Sequence, residues 1–230
     1  MFRFSVILLF VCVLAGCTTS KRYNDVTIVN ETIEWTHSWM VNTNDKQLPR
    51  VLIIGDSHVE GYFKFIDENL KSIANCCRFT TSKSLGDPIL IDQLELIFKQ
   101  YDFDIIYFNN GLHGKAYSIK EYGKYIPIVY ELLKKHSKKA IVWVNTTATR
   151  KPGNLNELSE YNDQVLERNK LVADFANTYG ILPVDFYSLS INKLDYYVAD
   201  GTHFNQNGQK AEARLICQKV SQILKIDLIK

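Results

Sequence analysis

Residues Arg50-Val51-Leu52-Ile53-Ile54-Gly55-Asp56-Ser57 constrain this chain more than any other stretch. Four large apolar residues in a row, three of them β-branched, make a short strand buried on both faces. The run stops at Gly-Asp-Ser. An amphipathic stretch (Val59, Phe63, Ile66, Leu70, Ile73) follows, so the pattern is strand, tight turn, helix start. A serine in that turn sits at the carboxyl edge of a parallel sheet, where open α/β folds bind ligands. Helix-start N–H groups beside it can stabilise developing negative charge. Asp56 and Ser57 are also good N-cap residues, so the turn alone serves equally as a helix cap.

The same grammar repeats down the chain. Strands are expected at 50–55, 76–81, 103–109, 139–145 and 181–185, and helices at 58–73, 88–100, 118–136, 157–179 and 206–225. In the 118–136 segment, Ile119, Tyr122, Ile126, Val129, Leu132 and Leu133 share one helical face, with Pro127 as a bend or boundary. Regular β-α alternation without repeats or Pro/Gly linkers predicts one α/β domain, residues 50–230, with a parallel sheet covered on both faces.

Upstream, Met1-Phe2-Arg3 is a short positive region and Phe4 to Leu14 is almost unbroken apolar sequence. The run is short for a membrane span and fits a signal peptide covering residues 1–16. It ends in Leu14-Ala15-Gly16-Cys17, which resembles a bacterial lipobox. That resemblance implies cleavage before Cys17, lipidation of its thiol, and a lipid-anchored, extracytoplasmic location in the cell envelope. Residues 17–49 are then a polar tether and N-terminal extension, part of it docked through Trp35 and Trp39; His37 carries no assigned chemistry. Cys76, Cys77 and Cys217 remain, an odd number that leaves pairing open. The chain has 27 basic and 25 acidic residues and no polybasic run, so nothing points to a nucleic-acid partner.

Four loops fall at the expected carboxyl edge of the sheet. They carry Ser57; Ser84-Leu85-Gly86-Asp87-Pro88; Asn109-Asn110-Gly111-Leu112-His113-Gly114; and Asp200-Gly201-Thr202-His203-Phe204-Asn205. In this order and strand context they resemble the blocks of an SGNH (GDSL-type) hydrolase over about residues 50–225. Gly55-Asp56-Ser57 is similar to the block with the nucleophilic serine. Gly86 matches the block whose backbone N–H enters the oxyanion hole, and Asp200-x-x-His203 matches the block completing the triad. The resemblance implies a three-layer α/β/α, flavodoxin-like fold with a five-stranded parallel sheet, and ester hydrolysis without metal or cofactor.

One block departs from the pattern. The family has Gly-x-Asn-Asp after strand three, and this chain has Gly111-Leu112-His113-Gly114. Either His113 donates to the oxyanion in place of the asparagine, or Asn110 does, beside the N–H groups of Ser57 and Gly86. There is no Gly-x-Ser-x-Gly elbow, and neither His-Glu-x-x-His nor paired Cys-x-x-Cys is present to hold a metal. His58 is read as a solvent-facing histidine in the first helical turn. The expected function is a serine esterase acting on small-molecule or glycan esters, with O-acetyl groups of carbohydrate named by analogy alone. The alternatives are an O-acyltransferase or a non-catalytic glycan-binding lipoprotein on the same scaffold.

Overall fold

A computed structural model describes residues 28–181 and 183–226. The expected signal peptide, Cys17 and the start of the expected tether lie outside the described residues. The elements in chain order are β1 (Thr36–Trp39), β2 (Arg50–Gly55), α1 (Ser57–Leu70), β3 (Asn75–Thr81), α2 (Ile89–Phe98), β4 (Phe103–Asn109), α3 (Ile119–His136) and β5 (Ser137–Val144). They continue with a small hairpin of β6 (Arg150–Lys151) and β7 (Asn154–Leu158), then α4 (Tyr161–Tyr179), α5 (Phe186–Ile191) and α6 (Gln206–Leu224). The main sheet has five strands in the order β1-β3-β2-β4-β5.

β2 lies at the centre, parallel to β3 and β4, and all six of its residues are buried. Its alternate residues serve opposite layers. Val51 and Ile53 pack with Val59, Phe63 and Ile66 of α1 and Ile216 and Val220 of α6. Leu52 and Ile54 pack with Leu90 and Leu94 of α2 and Tyr122 and Val129 of α3. Full burial of each such side chain contributes about 1.5–3 kcal/mol, which makes this strand the axis of a three-layer α/β/α domain.

Two expectations are corrected. The fifth strand of the sheet is β1, from the N-terminal extension, and it pairs antiparallel with β3, Thr36 opposite Thr81. Among its described residues, the stretch expected as a strand at 181–185 makes a single parallel bridge, Val184 beside Val144. Pro183 has no N–H to give a ladder, and Asp185 leaves the strand direction to cap α5 by accepting from Ser188 N. α3 runs through Pro127, which is on its exposed face, where water can satisfy the carbonyl that loses its helix partner. Its start is fixed by a Ser118/Glu121 capping box. Cys76, Cys77 and Cys217 are free and buried, and burial pushes all three thiols up, away from reactivity.

Candidate active site

The turn after β2 divides two tasks between neighbouring residues. Asp56, extended at φ −120°, accepts from His58 N through Oδ1 at 2.9 Å and so caps α1. Ser57 is thereby released from capping, and its Oγ lies 2.8 Å from His203 Nε2. Gly55 admits the turn because a Cβ there would meet a Val59 methyl at 2.4 Å.

His203 is held from the other side. Its Nδ1 is 2.7 Å from Asp200 Oδ2, while Asp200 Oδ1 accepts from the backbone N–H groups of Thr202 and His203. Burial acts to raise the Asp200 carboxyl, but the His203 ring and these two N–H donors outweigh it and hold it below the usual range. The carboxylate therefore persists into acid solution. The loop turns at Gly201, where φ is +73° and a Cβ would meet Arg150 O at 2.2 Å.

The second and third loops are locked to each other. Asn110 Oδ1 accepts from Leu85 N and its Nδ2 donates to Lys83 O, so this side chain bridges the two loops. Gly86 N donates to Ser84 Oγ at 3.3 Å, a long bond, and Tyr117 packs so close that a Cβ at Gly86 would meet its ring at 2.5 Å. His113 is turned to the N-terminal segment: its Nδ1 lies 2.8 Å from Glu31 Oε2, and Glu31 Oε1 accepts from Gly114 N at 2.7 Å. Trp35 meets the His113 ring edge-on, with centroids 5.9 Å apart.

Three participants escaped the sequence reading. Residues 28–35 reach the carboxyl edge because β1 starts opposite the last residue of β3. There Asn30 and Glu34 engage Lys83, and Glu31 clamps the third loop. Together Val29, Glu31, Ile33, Trp35, His113 and Lys115 border a cavity of about 660 Å³. Arg168 of α4 is fully buried and donates to the carbonyls of Gly111, His113 and Gly114 and to the Tyr161 hydroxyl. His58 is buried instead of solvent-facing and contacts Glu212 of α6. Apart from Tyr161 beside Arg168, each partner lies dozens of residues away, and no local pattern announces it.

Known structures of the same shape exist at low sequence identity. The acetylxylan esterase Axe2 of Geobacillus stearothermophilus superposes with a TM-score of 0.60 at 13% identity, covering 79% of this chain and 96% of that one. A GDSL-like lipase of Bacteroides thetaiotaomicron gives 0.60 at 16%, covering 79% and 92%. A Slackia heliotrinireducens protein described as an SGNH hydrolase gives 0.59 at 19%, covering 76% and 100%. The chain has the SGNH-hydrolase fold. No family model and no curated protein matches the sequence. Within the SGNH fold, residues Ser57, Asp200 and His203 form one hydrogen-bonded chain at the carboxyl edge of the sheet.

Proposed function

We propose that this protein is a serine esterase of the SGNH type that removes acyl groups, acetyl groups on carbohydrate foremost, from a lipid-anchored position in the bacterial envelope. The observation that carries the reading is the chain Ser57 Oγ to His203 Nε2 to Asp200, with contacts of 2.8 and 2.7 Å. His203 takes the serine proton as Oγ attacks the ester carbonyl, and an acyl-enzyme forms as the alcohol leaves with that proton. Water then repeats the sequence. Asp200 holds the proton on Nδ1, which leaves Nε2 to face the serine. Ser57 and Gly86 N–H groups donate to the tetrahedral oxyanion; the long Ser84 bond to Gly86 is one the oxyanion replaces. Asn110 keeps the two donor loops in register.

His113 is the side-chain donor in this reading. With Nδ1 on Glu31, Nε2 is the ring nitrogen left for the oxyanion. His113→Ala is expected to lower kcat about 100- to 1000-fold, with a smaller change in KM, as loss of an oxyanion donor does. An unchanged kcat in steady-state hydrolysis removes His113 from the hole. The cavity beside Trp35 is the site for the alcohol part of the ester, its indole offering an apolar face to a sugar ring. The acetylxylan esterase neighbour supports the substrate class.

Hydrolysis of p-nitrophenyl acetate and of acetylated xylo-oligosaccharides by the purified domain tests the function. Turnover of both supports it, and labelling of a folded but inactive protein by a fluorophosphonate points instead to an acyltransferase. Absence of both turnover and labelling favours a binding scaffold. Anchoring is tested separately: cells fed radiolabelled palmitate should label the full chain but not Cys17→Ser, and equal labelling of both rejects the lipid at Cys17.

A further inference from the structure

A buried charge pair lies directly behind the Ser57–His203 contact and has no part in the steps above. His58 Nδ1 is 2.9 Å from Glu212 Oε1, and His58 Nε2 is 3.0 Å from the carbonyl oxygen of Thr202. Glu212 is completely buried and its second oxygen has no hydrogen-bond partner among the described residues. The His203 ring stacks on His58 with centroids 5.7 Å apart and planes 22° apart, and Phe204 closes the edge at 5.1 Å. A buried ion pair is a poor way to gain stability, because well-packed apolar residues of the same volume usually do as well or better. Packing therefore does not account for these two residue types.

We propose that His58 and Glu212 are positioning residues for His203. The inference rests on the serine-esterase reading, since it gives the pair a purpose in that reaction. Consecutive residues of one helical turn carry the nucleophile and the tie to the loop that bears the base. Ser57 presents Oγ, and His58 reaches back to Thr202, the residue next to His203. The nucleophile–base distance is thus fixed over a path of a few side chains, with α6 supplying the far anchor through Glu212.

The electrostatics follow from the same contacts. Thr202 O can only accept, so His58 Nε2 carries a proton. Burial alone pushes the ring down, but the Glu212 carboxylate outweighs it and lifts it to about 9, which keeps the second proton on the ring at neutral pH. The groups facing His58 are Glu212 from α6, Asp56 from the turn before α1, and the Thr202 carbonyl and His203 from the loop. Asp56 also acts on the ring through its charge, but Glu212 Oε1 is the carboxylate oxygen in hydrogen-bond contact with it. A fixed cation stacked on His203 opposes a second positive charge so close by, and Asp200, held to Nδ1 of the same ring, offsets that charge once the serine proton has been taken.

Two variants separate the tie from the charge. Glu212→Gln keeps both hydrogen bonds, with a neutral His58 protonated on Nε2 and accepting from the amide at Nδ1, but removes the cation. It is expected to lower kcat about threefold and to move the acidic limb of the kcat/KM profile to higher pH. His58→Ala removes the tie, and kcat is expected to fall about 30- to 100-fold with KM nearly unchanged, the loss typical of a small misplacement of a reacting group. If both variants change thermal stability while kcat and the acidic limb stay as in wild type, the pair is structural and the proposal is overturned. NMR titration of the His203 ring needs no substrate and separates this proposal from the esterase reading. A midpoint moved to higher pH in Glu212→Gln supports the coupling even in a protein that turns over no ester. An unmoved midpoint overturns it even in an active enzyme, and this measurement also decides the matter if His58→Ala does not fold.

Discussion

Ser57→Ala is expected to abolish ester hydrolysis, with kcat down at least about 1000-fold, while the domain unfolds within about 2 °C of wild type. Both halves of this outcome come from the turn after β2. The hydroxyl makes its hydrogen bond to His203 Nε2, so its removal takes away the proposed nucleophile. The helix start does not depend on it, because Asp56 supplies the cap to His58 N. Steady-state hydrolysis of p-nitrophenyl acetate, read beside a thermal melt of each protein, checks the two halves separately. Activity within tenfold of wild type would mean that Ser57 is not the nucleophile. Lost activity together with a melt lowered by many degrees would assign Ser57 to folding after all.

The same turn explains why part of this molecule could be read from its sequence. Val51 to Ile54 are buried on both faces, and that requirement is written locally as an unbroken apolar run. The strands at Phe103–Asn109 and Asn75–Thr81 are legible for the same reason, and the loops that follow them inherit their place at the sheet edge. β1 is not legible. Its four residues, Thr-His-Ser-Trp, are exposed and carry no alternation; it is a strand because the edge of β3 offers backbone groups to pair with. The 181–185 stretch fails in the opposite sense: it is apolar enough to suggest a strand, yet Pro183 and the turn at Asp185 leave one bridge.

Long-range polar partners were the other blind spot. His58 looked like a surface residue because Glu212 stands 154 positions away, and His113 looked like a bare substitution for asparagine because Glu31 lies before the expected domain. The N-terminal segment thus belongs to the candidate site as well as to the sheet. Ser57, Asp200 and His203 come together from two short motifs, one in the turn after β2 and the other in the loop before α6. The residues that hold them in place have no such motif, only a distant complement.

Arg168 is where such a distant complement should matter most to stability. Its guanidinium is wholly buried, spans the carbonyls of Gly111, His113 and Gly114, and lies 4.7 Å over the Tyr122 ring. Replacing both members of a buried polar pair by apolar groups can be harmless, but here the acceptors are backbone and cannot be replaced. Truncation takes a charged donor from three carbonyls, of which Gly111 O keeps the Tyr161 hydroxyl and Gly114 O keeps Tyr117 N, and it opens a cavity. Arg168→Ala is therefore expected to destabilise the domain by about 3–5 kcal/mol, which for a chain of this size lowers the melting midpoint by roughly 10 °C. Arg168→Met fills most of the volume and should recover the cavity part only. Arg168→Lys brings back a charge without the planar fork and should fall between the two. Because these carbonyls belong to the loop that carries His113, kcat should fall in the same order as stability across the series. A melt of Arg168→Ala within 2 °C of wild type would show that the loop holds its shape without the guanidinium. Stability that falls while kcat stays constant would separate the loop's packing from the geometry of the proposed oxyanion site.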